Sequence, residues 1–323
     1  MDRRIKILTG IALVLAAQLP VHAQDWPSRP IKIVTEYATG GTSDLSARLV
    51  ADRLSRRLNT PVIVENRPGA SGRIAGQMVA SAPADGYTLL WTAAIHTVNP
   101  AFFSDMPYDT QKDFTPVVHA FAQPVVMSVP AASPARSVED FVRLAKSNPK
   151  YETFGHSGVA SVPHLTSVLF ANAAGIKTNE VAYKGDTPAM TDLLGGHVPV
   201  TFTSIGTPAP HVASGKLRAL AVSGAKRSPL MPQVPTFTEA GFPGMENSFA
   251  WFGLVGPARL PPAVVERLNK EINEILQEPD LREQAGKGGN VVIGGSAAQF
   301  KEFIANDIDR WRKLAVTGKV KVK

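Results

Sequence analysis

The chain of 323 residues carries a net charge of +7, with 44% hydrophobic and 19% charged residues. This length suits about two domains, and the composition supplies hydrophobic cores and excludes a disordered chain. Cysteine is absent, which excludes disulfides, thiolate metal ligands and cysteine nucleophiles. The basic residues are scattered and are not interleaved with aromatic residues, so we expect no nucleic-acid partner.

The N-terminal segment has the pattern of an export signal. It begins with a basic region, MDRRIK, continues with an apolar run, ILTGIALVLAAQL, and ends at VHAQ, which offers cleavage after Ala23. The apolar run is too short for a transmembrane helix of about 20 residues. Arg3 and Arg4 resemble a twin-arginine signal, but the residues around them fit that pattern poorly. We expect removal of residues 1–23 to leave a soluble, exported protein of net charge +5, because three cations and one anion are lost.

Short β-branched runs bounded by glycine or proline predict strands, and apolar residues at helical spacing predict helices. The predicted strands, in chain order, are residues 31–38, 61–66, 87–93, 124–130, 151–155, 179–185, 198–204 and 217–224. The predicted helices begin at Asp44 and within the glycine-rich segment 69–82, and then occupy residues 138–148, 164–175, 187–196, 262–278 and 297–315. Strands that alternate with helices across short glycine turns indicate an α/β fold with parallel, doubly wound sheets.

Two such α/β units follow one another, which predicts two lobes with a cleft between them. Prolines and turn residues cluster near 121–125 and 232–238, where we expect the chain to cross between the lobes. The predicted lobe 1 is therefore discontinuous, residues 24–122 plus 236–323, and the predicted lobe 2 is residues 123–235.

Residues 153–161, TFGHSGVAS, resemble the strand–turn–helix elbow that presents the nucleophilic serine of esterases. In that interpretation Ser157 is the nucleophile. Val159 stands where the strained elbow requires a small residue, and no spacing singles out an acid and a histidine as partners. The available candidates are Asp186, Asp192, His164, His197 and His211. A serine hydrolase using Ser157 is therefore a less favoured alternative, and we assign no catalytic residue.

Metal and cofactor motifs are not visible in the sequence. The seven histidines are dispersed and lack the H-x₃-H or H-E-x-x-H spacing of common metal sites. The glycines of GASGRIAG, residues 69–76, do not have the intervals of a dinucleotide-binding motif. We therefore expect no metal site and no cofactor.

Several long segments resemble one protein family in the same order along the chain. They include VENRPGA within 61–76, PADGYTLL within 83–92 and LRALAVSGAKRSP within 214–244, a combination that is specific although each motif alone is weak. On these motifs the chain resembles the periplasmic solute-binding proteins of tripartite tricarboxylate transporters, the TctC or Bug (Bordetella uptake gene) family. The resemblance extends over nearly the whole chain after the signal.

The resemblance implies a two-lobed periplasmic-binding-protein fold, in which each lobe is a mostly parallel sheet flanked by helices and the ligand cleft lies between the lobes. It also implies a binding protein, not an enzyme, that captures a small carboxylate by hinge closure. The implied partners are the large and small membrane subunits of a permease, and a sensor kinase is the alternative partner. We expect the protein to be a monomer.

The first implied ligand-binding loop, ATGGTSD at 38–44, joins a strand to a helix. A helix N-terminus has unpaired N–H groups and a positive dipole that can hold a carboxylate, and glycines let a ligand approach the backbone. By itself such a turn is more often only a tight turn with a helix cap; the resemblance implies that it cradles the ligand. We expect Asp44 to orient the loop or to hold a water molecule. The candidate residues are Tyr37, Thr39, Gly40, Gly41, Thr42, Ser43 and Asp44.

The second implied loop, FGHSGVASVPHL at 154–165, belongs to the other lobe. Pro163 suits the first turn of a helix, where its missing N–H is not needed. Two helix N-termini that grip the two ends of a dicarboxylate would favour the closed state. The candidate residues here are His156, Ser157, Gly158, Val159, Ala160, Ser161 and His164, and Thr92, His96, Thr203 and Ser204 complete the set.

The chain departs from the family pattern at positions near the implied site. Glu36 and Thr39 stand where prolines are usual, and His156 stands where a small residue is common. Thr203 stands where many members carry an acid that could accept an amino group, so its presence argues against an amino-acid ligand. Glu36, in contrast, would favour a hydroxyl or amine on the ligand. We expect a dicarboxylate, tricarboxylate or aromatic carboxylate without an α-amino group, with Tyr37 available to stack on a ring.

Overall fold

The computed structural model describes residues 26–316, so the predicted signal segment lies outside the described residues. The strands are β1 (Ile31–Thr35), β2 (Val62–Asn66), β3 (Thr88–Ala93), β4 (Phe114–Pro130), β5 (Thr153–His156), β6 (Asn179–Ala182), β7 (Val200–Ser204), β8 (Leu217–Val222), β9 (Phe249–Pro257) and β10 (Val291–Val292). The α-helices are α1 (Thr42–Leu58), α2 (Arg73–Ala80), α3 (Ile95–Phe102), α4 (Val138–Ser147), α5 (Val162–Ala174), α6 (Asp186–Leu194), α7 (Ala209–Ala213), α8 (Pro262–Gln277), α9 (Pro279–Lys287) and α10 (Ala297–Val316). None of the helices described between residues 26 and 316 combines the length and the apolar character needed to cross a membrane.

Two sheets share strand β4. The first has the order β2-β1-β3-β9-β4-β10, in which β1 is parallel to β2 and β3 and the remaining neighbours are antiparallel. The second has the order β8-β4-β7-β5-β6, in which β5 is parallel to β6 and β7, and β4 is antiparallel to both of its neighbours. The predicted two-lobed α/β class is confirmed. Parallel pairing is confined to the strands away from β4 and β9, so both sheets are mixed.

Strand β4 passes from one lobe to the other. Its residues up to Pro124 pair with β9, and its residues from Val125 onward pair with β7 and β8. Thr236 still pairs with Val222 of β8, beside the second sheet. The next strand, β9, belongs to the first sheet, so the chain returns to the first lobe between Thr236 and β9. The division of the chain at residues 122/123 and 235/236 stays a prediction.

Sequence reasoning missed β9 and the first part of β4. Strand β9 is buried over nearly its whole length, so its side chains lack the polar–apolar alternation that identifies a half-exposed strand. The first part of β4 contains Pro116, which weakens the strand pattern. The helices α3, α7 and α9 were also not predicted.

Buried aromatic rings fix the edge of the second lobe that faces the cleft. Phe154 of β5 stacks on Phe202 of β7, with the ring centroids 5.5 Å apart. Phe170 of α5 packs against Phe202 at 5.8 Å and against Phe237 at 5.6 Å. These contacts join β5 to α5, so the loop between the two elements is anchored at both ends.

The buried carboxylate of Asp307 joins α10 to the rest of the first lobe. It accepts hydrogen bonds from Thr97 Oγ1 at 2.6 Å, and from Trp251 Nε1 and Trp311 Nε1 at 3.2 Å each. Arg310 forms an ion pair with the same carboxylate at 2.7 Å. Helix α10 is therefore fixed to α3 and to β9.

The two lobes touch beside the point where β4 passes from one sheet to the other. Gln123 Nε2 of β4 donates to the Gly288 carbonyl oxygen at 2.9 Å and to Asn290 Oδ1 at 2.7 Å. The same carbonyl approaches Gly206 so closely that a Cβ atom on Gly206 would lie 2.1 Å from the oxygen. Because Gly206 follows β7 and Gly288 follows α9, this contact joins the two lobes.

We expect Gly206→Ala to favour an open arrangement, because the added methyl group would collide with backbone atoms of the opposite lobe. Small-angle scattering of the mature protein should then give a larger radius of gyration. Gly286→Ala is the matched control, since a Cβ atom there meets nothing within 4 Å. Equal radii of gyration for Gly206→Ala and the unaltered protein would contradict the importance of this contact.

Candidate functional site

A small cavity lies between the lobes, where β1, β3, β5 and β7 end. Its volume is about 30 Å³, which leaves room for about two water molecules. A dicarboxylate needs more space, so its entry requires the lobes to separate. The lining residues are Tyr37, Gly41, Thr42, Ser43, Ala93, Ala94, Ser157, Ser161, Val162, Pro163, Gly185, Asp186, Ser204, Ala250 and Phe252.

The cavity brings together seven of the residues that the sequence predicts for the site. Four belong to the first loop and three to the second lobe: Tyr37, Gly41, Thr42, Ser43, Ser157, Ser161 and Ser204. Their contribution is mainly hydroxyl groups and backbone N–H groups. The lining contains no lysine or arginine, so a bound anion would be held by neutral donors and helix dipoles.

The first loop leads directly into helix α1. Gly40 has φ of +83°, a conformation that favours glycine, and Gly41 is the N-cap residue. Asp44 does not line the cavity; it accepts hydrogen bonds from Gly40 N at 2.9 Å, Arg48 Nε at 3.0 Å and Asn66 Nδ2 at 2.9 Å. Burial opposes its ionisation, but these three partners together hold the pKa of Asp44 below its usual range. Asp44 thus shapes the loop.

The second loop leads into helix α5 in a similar way. Ser161 is the N-cap residue, and its hydroxyl accepts a hydrogen bond from His164 N at 3.3 Å. Pro163 lies in the first turn, as the sequence predicts. Gly158 has φ of +135°, and the non-glycine residue Ala160 has φ of +64°. These turns bring Ser157 and Ser161 to the cavity wall.

A third helix N-terminus faces the cavity and was missed by sequence reasoning. Helix α6 begins at Asp186, with Gly185 as its N-cap residue at φ of +127°. Both residues line the cavity. The signal was present in YKGDT, where a predicted strand ends in a glycine and a helix follows, as in the first loop.

Asp186 introduces a buried acid among the hydroxyl groups of the cleft. Its carboxylate accepts hydrogen bonds from Ser204 N at 3.3 Å, from Thr42 Oγ1 of the opposite lobe at 3.5 Å, and from the hydroxyl of Ser157. Burial raises the pKa of Asp186, and the hydrogen bonds oppose that shift only in part. Thr42 Oγ1 also lies 3.4 Å from Thr207 Oγ1.

Glu36 and Thr92 lie behind the first loop and do not line the cavity. Thr92 Oγ1 donates to Glu36 Oε1 at 3.0 Å, and Ala93 N donates to Oε2 at 3.3 Å. The carboxyl group is enclosed in the first lobe, where burial raises the pKa of Glu36 to about 8. The contacts of Glu36 therefore join the start of the first loop to β3. The hydroxyl of Thr92 donates to Glu36 and not to the cavity.

The other predicted residues lie outside the cavity lining. His96 is fully buried and packs edge-on against Phe114 with the ring centroids 4.7 Å apart, and Thr203 is fully buried in β7. His156 and His164 pack against each other behind the second loop, with the ring centroids 4.3 Å apart. The remaining residues outside the lining are Thr39, Gly40, Gly158, Val159 and Ala160.

The apolar part of the cavity is contributed mostly by the first lobe. Ala93 is the last residue of β3, Ala94 follows it, and Ala250 and Phe252 belong to β9. Tyr37 lies beside them; burial, together with the nearby charges of Glu36 and Asp186, raises its pKa well above the usual value, so that it stays a neutral phenol. These groups provide a surface for the carbon skeleton of a ligand.

The environment of Ser157 differs from that of an esterase nucleophile. Its hydroxyl is hydrogen-bonded to the carboxylate of Asp186. The Nδ1 atoms of His156 and His164, the nearest histidines in the chain, are engaged by Gly158 and Ala160. The nucleophilic serine of an esterase elbow needs a histidine as its hydrogen-bond partner. In this structure the partner of Ser157 is the carboxylate of Asp186.

Comparisons with a family model, with relatives and with solved structures all point to the same protein family. The family model described as the tripartite tricarboxylate transporter family receptor matches residues 46–318. BugT of Bordetella pertussis is 33% identical over 323 residues, which are 99% of each chain. The solved structure of R. palustris Rpa4515 with adipate has a TM-score of 0.87 and 36% identity, and the match covers 91% of this chain and 98% of that one. MatC from Rhodopseudomonas palustris with bound malate has a TM-score of 0.85 and 29% identity, with 90% and 100% covered.

The buried carboxyl group of Glu36 makes stability depend on pH. In the unfolded chain it ionises near 4.5, whereas in the folded protein its pKa is about 8. The unfolding free energy should therefore fall as the pH rises from about 4.5 to about 8, by up to about 5 kcal/mol at 1.4 kcal/mol per pKa unit. The free energy of unfolding can be measured by urea unfolding at pH 5, 6.5 and 8. We expect it to fall less with rising pH in Glu36→Gln than in the unaltered protein. The exposed Glu302→Gln is the control, and equal pH slopes in both variants would contradict the assignment.

Proposed function

The chain belongs to the tripartite tricarboxylate transporter family of receptors, and we propose that it captures a small carboxylate in the cleft and delivers it to a membrane permease. The permease would consist of one large and one small subunit, as the family resemblance implies. Members of this family are periplasmic solute-binding proteins, and we infer that the N-terminal segment directs this chain to the same compartment. The observation that carries the proposal is the meeting of three helix N-termini in one cavity.

The helices α1, α5 and α6 would hold the carboxylate through backbone N–H groups and hydroxyl groups. The first N–H groups of each helix lack partners within the helix, and the helix dipole favours negative charge at that end. Thr42 and Ser43 add hydroxyl donors from one lobe, and Ser157 and Ser161 add them from the other. This donor set suits an anion at each end of a short ligand.

Ligand binding would favour closure because the donors belong to both lobes. Thr187 Oγ1 already donates to the Gly40 carbonyl oxygen at 3.2 Å across the cleft. A ligand that contacts α1 and α5 together adds contacts that exist only in the closed state, so it shifts the population toward that state.

We infer a dicarboxylate, tricarboxylate or aromatic carboxylate without an α-amino group. At position 203, where many family members carry an acid that could accept an ammonium group, this chain has Thr203. A different acid, Asp186, lines the cleft. The carboxylate of Asp186 is already paired with Ser157, Ser204 and Thr42, so it does not require a ligand ammonium group. The adipate of Rpa4515 and the malate of MatC are consistent with this class.

A thermal-shift screen of the mature protein tests the ligand class. We expect stabilisation by members of a panel of succinate, malate, citrate, adipate and terephthalate; a ligand at 100 times its Kd adds about 2.7 kcal/mol. Ser157→Ala should weaken binding by about 1–3 kcal/mol if the hydroxyl donates to a charged group. The exposed Ser147→Ala is the control.

Two results would contradict the proposal in that screen. Tighter binding of aspartate or glutamate than of their deaminated analogues would exclude the proposed ligand class. Cleavage of an ester probe that is lost in Ser157→Ala, without any carboxylate-induced shift, would favour the serine hydrolase. Stabilisation by carboxylates together with binding to a sensor domain, and no binding to the permease, would identify the alternative partner.

Asp186 should make carboxylate affinity depend on pH. Its ionised form repels a ligand carboxylate in the same cavity, and burial raises its pKa, so affinity should rise as the pH is lowered and more of Asp186 is protonated. Asp186→Asn should bind dicarboxylates more tightly at pH 8, by roughly 1–3 kcal/mol for a screened charge pair, with a flatter pH profile in calorimetry. Asp192→Asn is the control, since Asp192 lies outside the lining. Weaker dicarboxylate binding in Asp186→Asn would contradict this role.

A further inference from the structure

Three potential metal ligands meet behind the second loop. One nitrogen of His156, one nitrogen of His164 and one carboxylate oxygen of Glu180 lie within 4.8 Å of one another. They come from β5, α5 and β6, which are three different elements of the second lobe. Both histidines are buried, whereas the side chain of Glu180 is 22% exposed.

The free nitrogen of His156 has no hydrogen-bond partner. The Nδ1 atom lies 3.1 Å from the Gly158 carbonyl oxygen and 3.3 Å from Gly158 N, whose N–H points at it. The Nε2 atom is buried, unpartnered and 3.5 Å from Glu180 Oε2. In the tautomer that carries its proton on Nδ1, Nε2 offers a lone pair to a cation placed between it and the carboxylate.

We propose that His156, His164 and Glu180 form a binding site for a divalent transition-metal ion such as Zn²⁺, with its fourth position open to solvent. Two imidazoles and one carboxylate are a ligand set that binds zinc. Bonds of about 2.1 Å in a tetrahedral site separate the ligand atoms by about 3.4 Å. Because the three ligand atoms lie within 4.8 Å of one another, metal binding would require them to approach by up to about 1.4 Å.

The surroundings favour metal binding at neutral pH. Burial lowers the pKa of His156 to about 3 and that of His164 to about 4, so protons do not compete for the imidazole lone pairs. Ser167 Oγ donates to Glu180 Oε2 at 3.1 Å and would orient the carboxylate as an outer-shell partner. A cation would also stabilise the ionised form of Glu180, whose pKa is raised by burial.

Metal binding would be linked to the second loop through His164. Its Nδ1 atom accepts a hydrogen bond from Ala160 N at 3.1 Å, so the proton of the neutral ring is on Nε2. Binding through Nδ1 displaces the Ala160 N–H, and binding through Nε2 moves the ring proton to Nδ1 and turns the acceptor into a donor. In both cases the Ala160 N–H loses its partner, and the loop between Ser157 and Ser161 must adjust.

The test uses the tag-free mature protein, stripped of metal with a chelator and titrated with Co²⁺ and Zn²⁺. We expect one equivalent of Co²⁺ to give the visible absorption of a four- or five-coordinate nitrogen and oxygen site, which Zn²⁺ then abolishes. The sequence contains no cysteine, so thiolates do not contribute. His156→Gln and Glu180→Gln should each lower the Zn²⁺ affinity at least about tenfold, a loss seen even for outer-shell partners.

The exposed His197→Gln in the same lobe is the matched control and should bind Zn²⁺ as the unaltered protein does. Zn²⁺ affinity that is unchanged in both His156→Gln and Glu180→Gln, or that is lost in His197→Gln, would overturn the site. Circular dichroism in the presence of chelator checks folding; Glu180→Gln, at a partly exposed position, keeps the test decisive if His156→Gln fails to fold. Zn²⁺ should also shift the amide resonance of Ala160, and an unmoved resonance would overturn the link to the loop.

Discussion

The pairing of β4 with β9 is the constraint on which the two-lobed structure depends. Strand β4 contributes hydrogen bonds to both sheets, and β9 pairs with it up to the point where β4 changes partners, at Pro124 and Val125. The lobes are thus joined by a strand that is part of both sheets. The loops that approach the cleft are carried by strands that belong to one lobe each.

The cleft combines neutral hydrogen-bond donors with buried acids, and the two have different roles. Asp44 and Glu36 stay within the first lobe and fix the first loop from behind, one ionised through its partners and the other protonated through burial. Asp186 alone faces the cavity. In the proposed function, affinity for an anion would come from the helix N-termini and hydroxyl groups, and the acid in the cleft would make that affinity depend on pH.

The sequence predicted the fold class, most helices and the two loops, because glycine turns and amphipathic periodicity are local signals. It missed β9, whose burial in the centre of a sheet erases the alternation of a strand. In the site it identified Thr42, Ser43, Ser157 and Ser161, which belong to recognisable strand–turn–helix junctions. The position of Asp186 depends on how the lobes meet, which local patterns do not contain. For the same reason, spacing gave no hint that His156 and His164 meet Glu180.

The hydrogen bonds of Asp186 have a consequence for unloading. The hydroxyls of Thr42 and Ser157 have a carboxylate acceptor within the protein itself, so the departure of an anionic ligand does not leave them unpaired in a dry cleft. If the chain binds a carboxylate as proposed, release would exchange one carboxylate acceptor for another, because Asp186 would take the place of the departing anion.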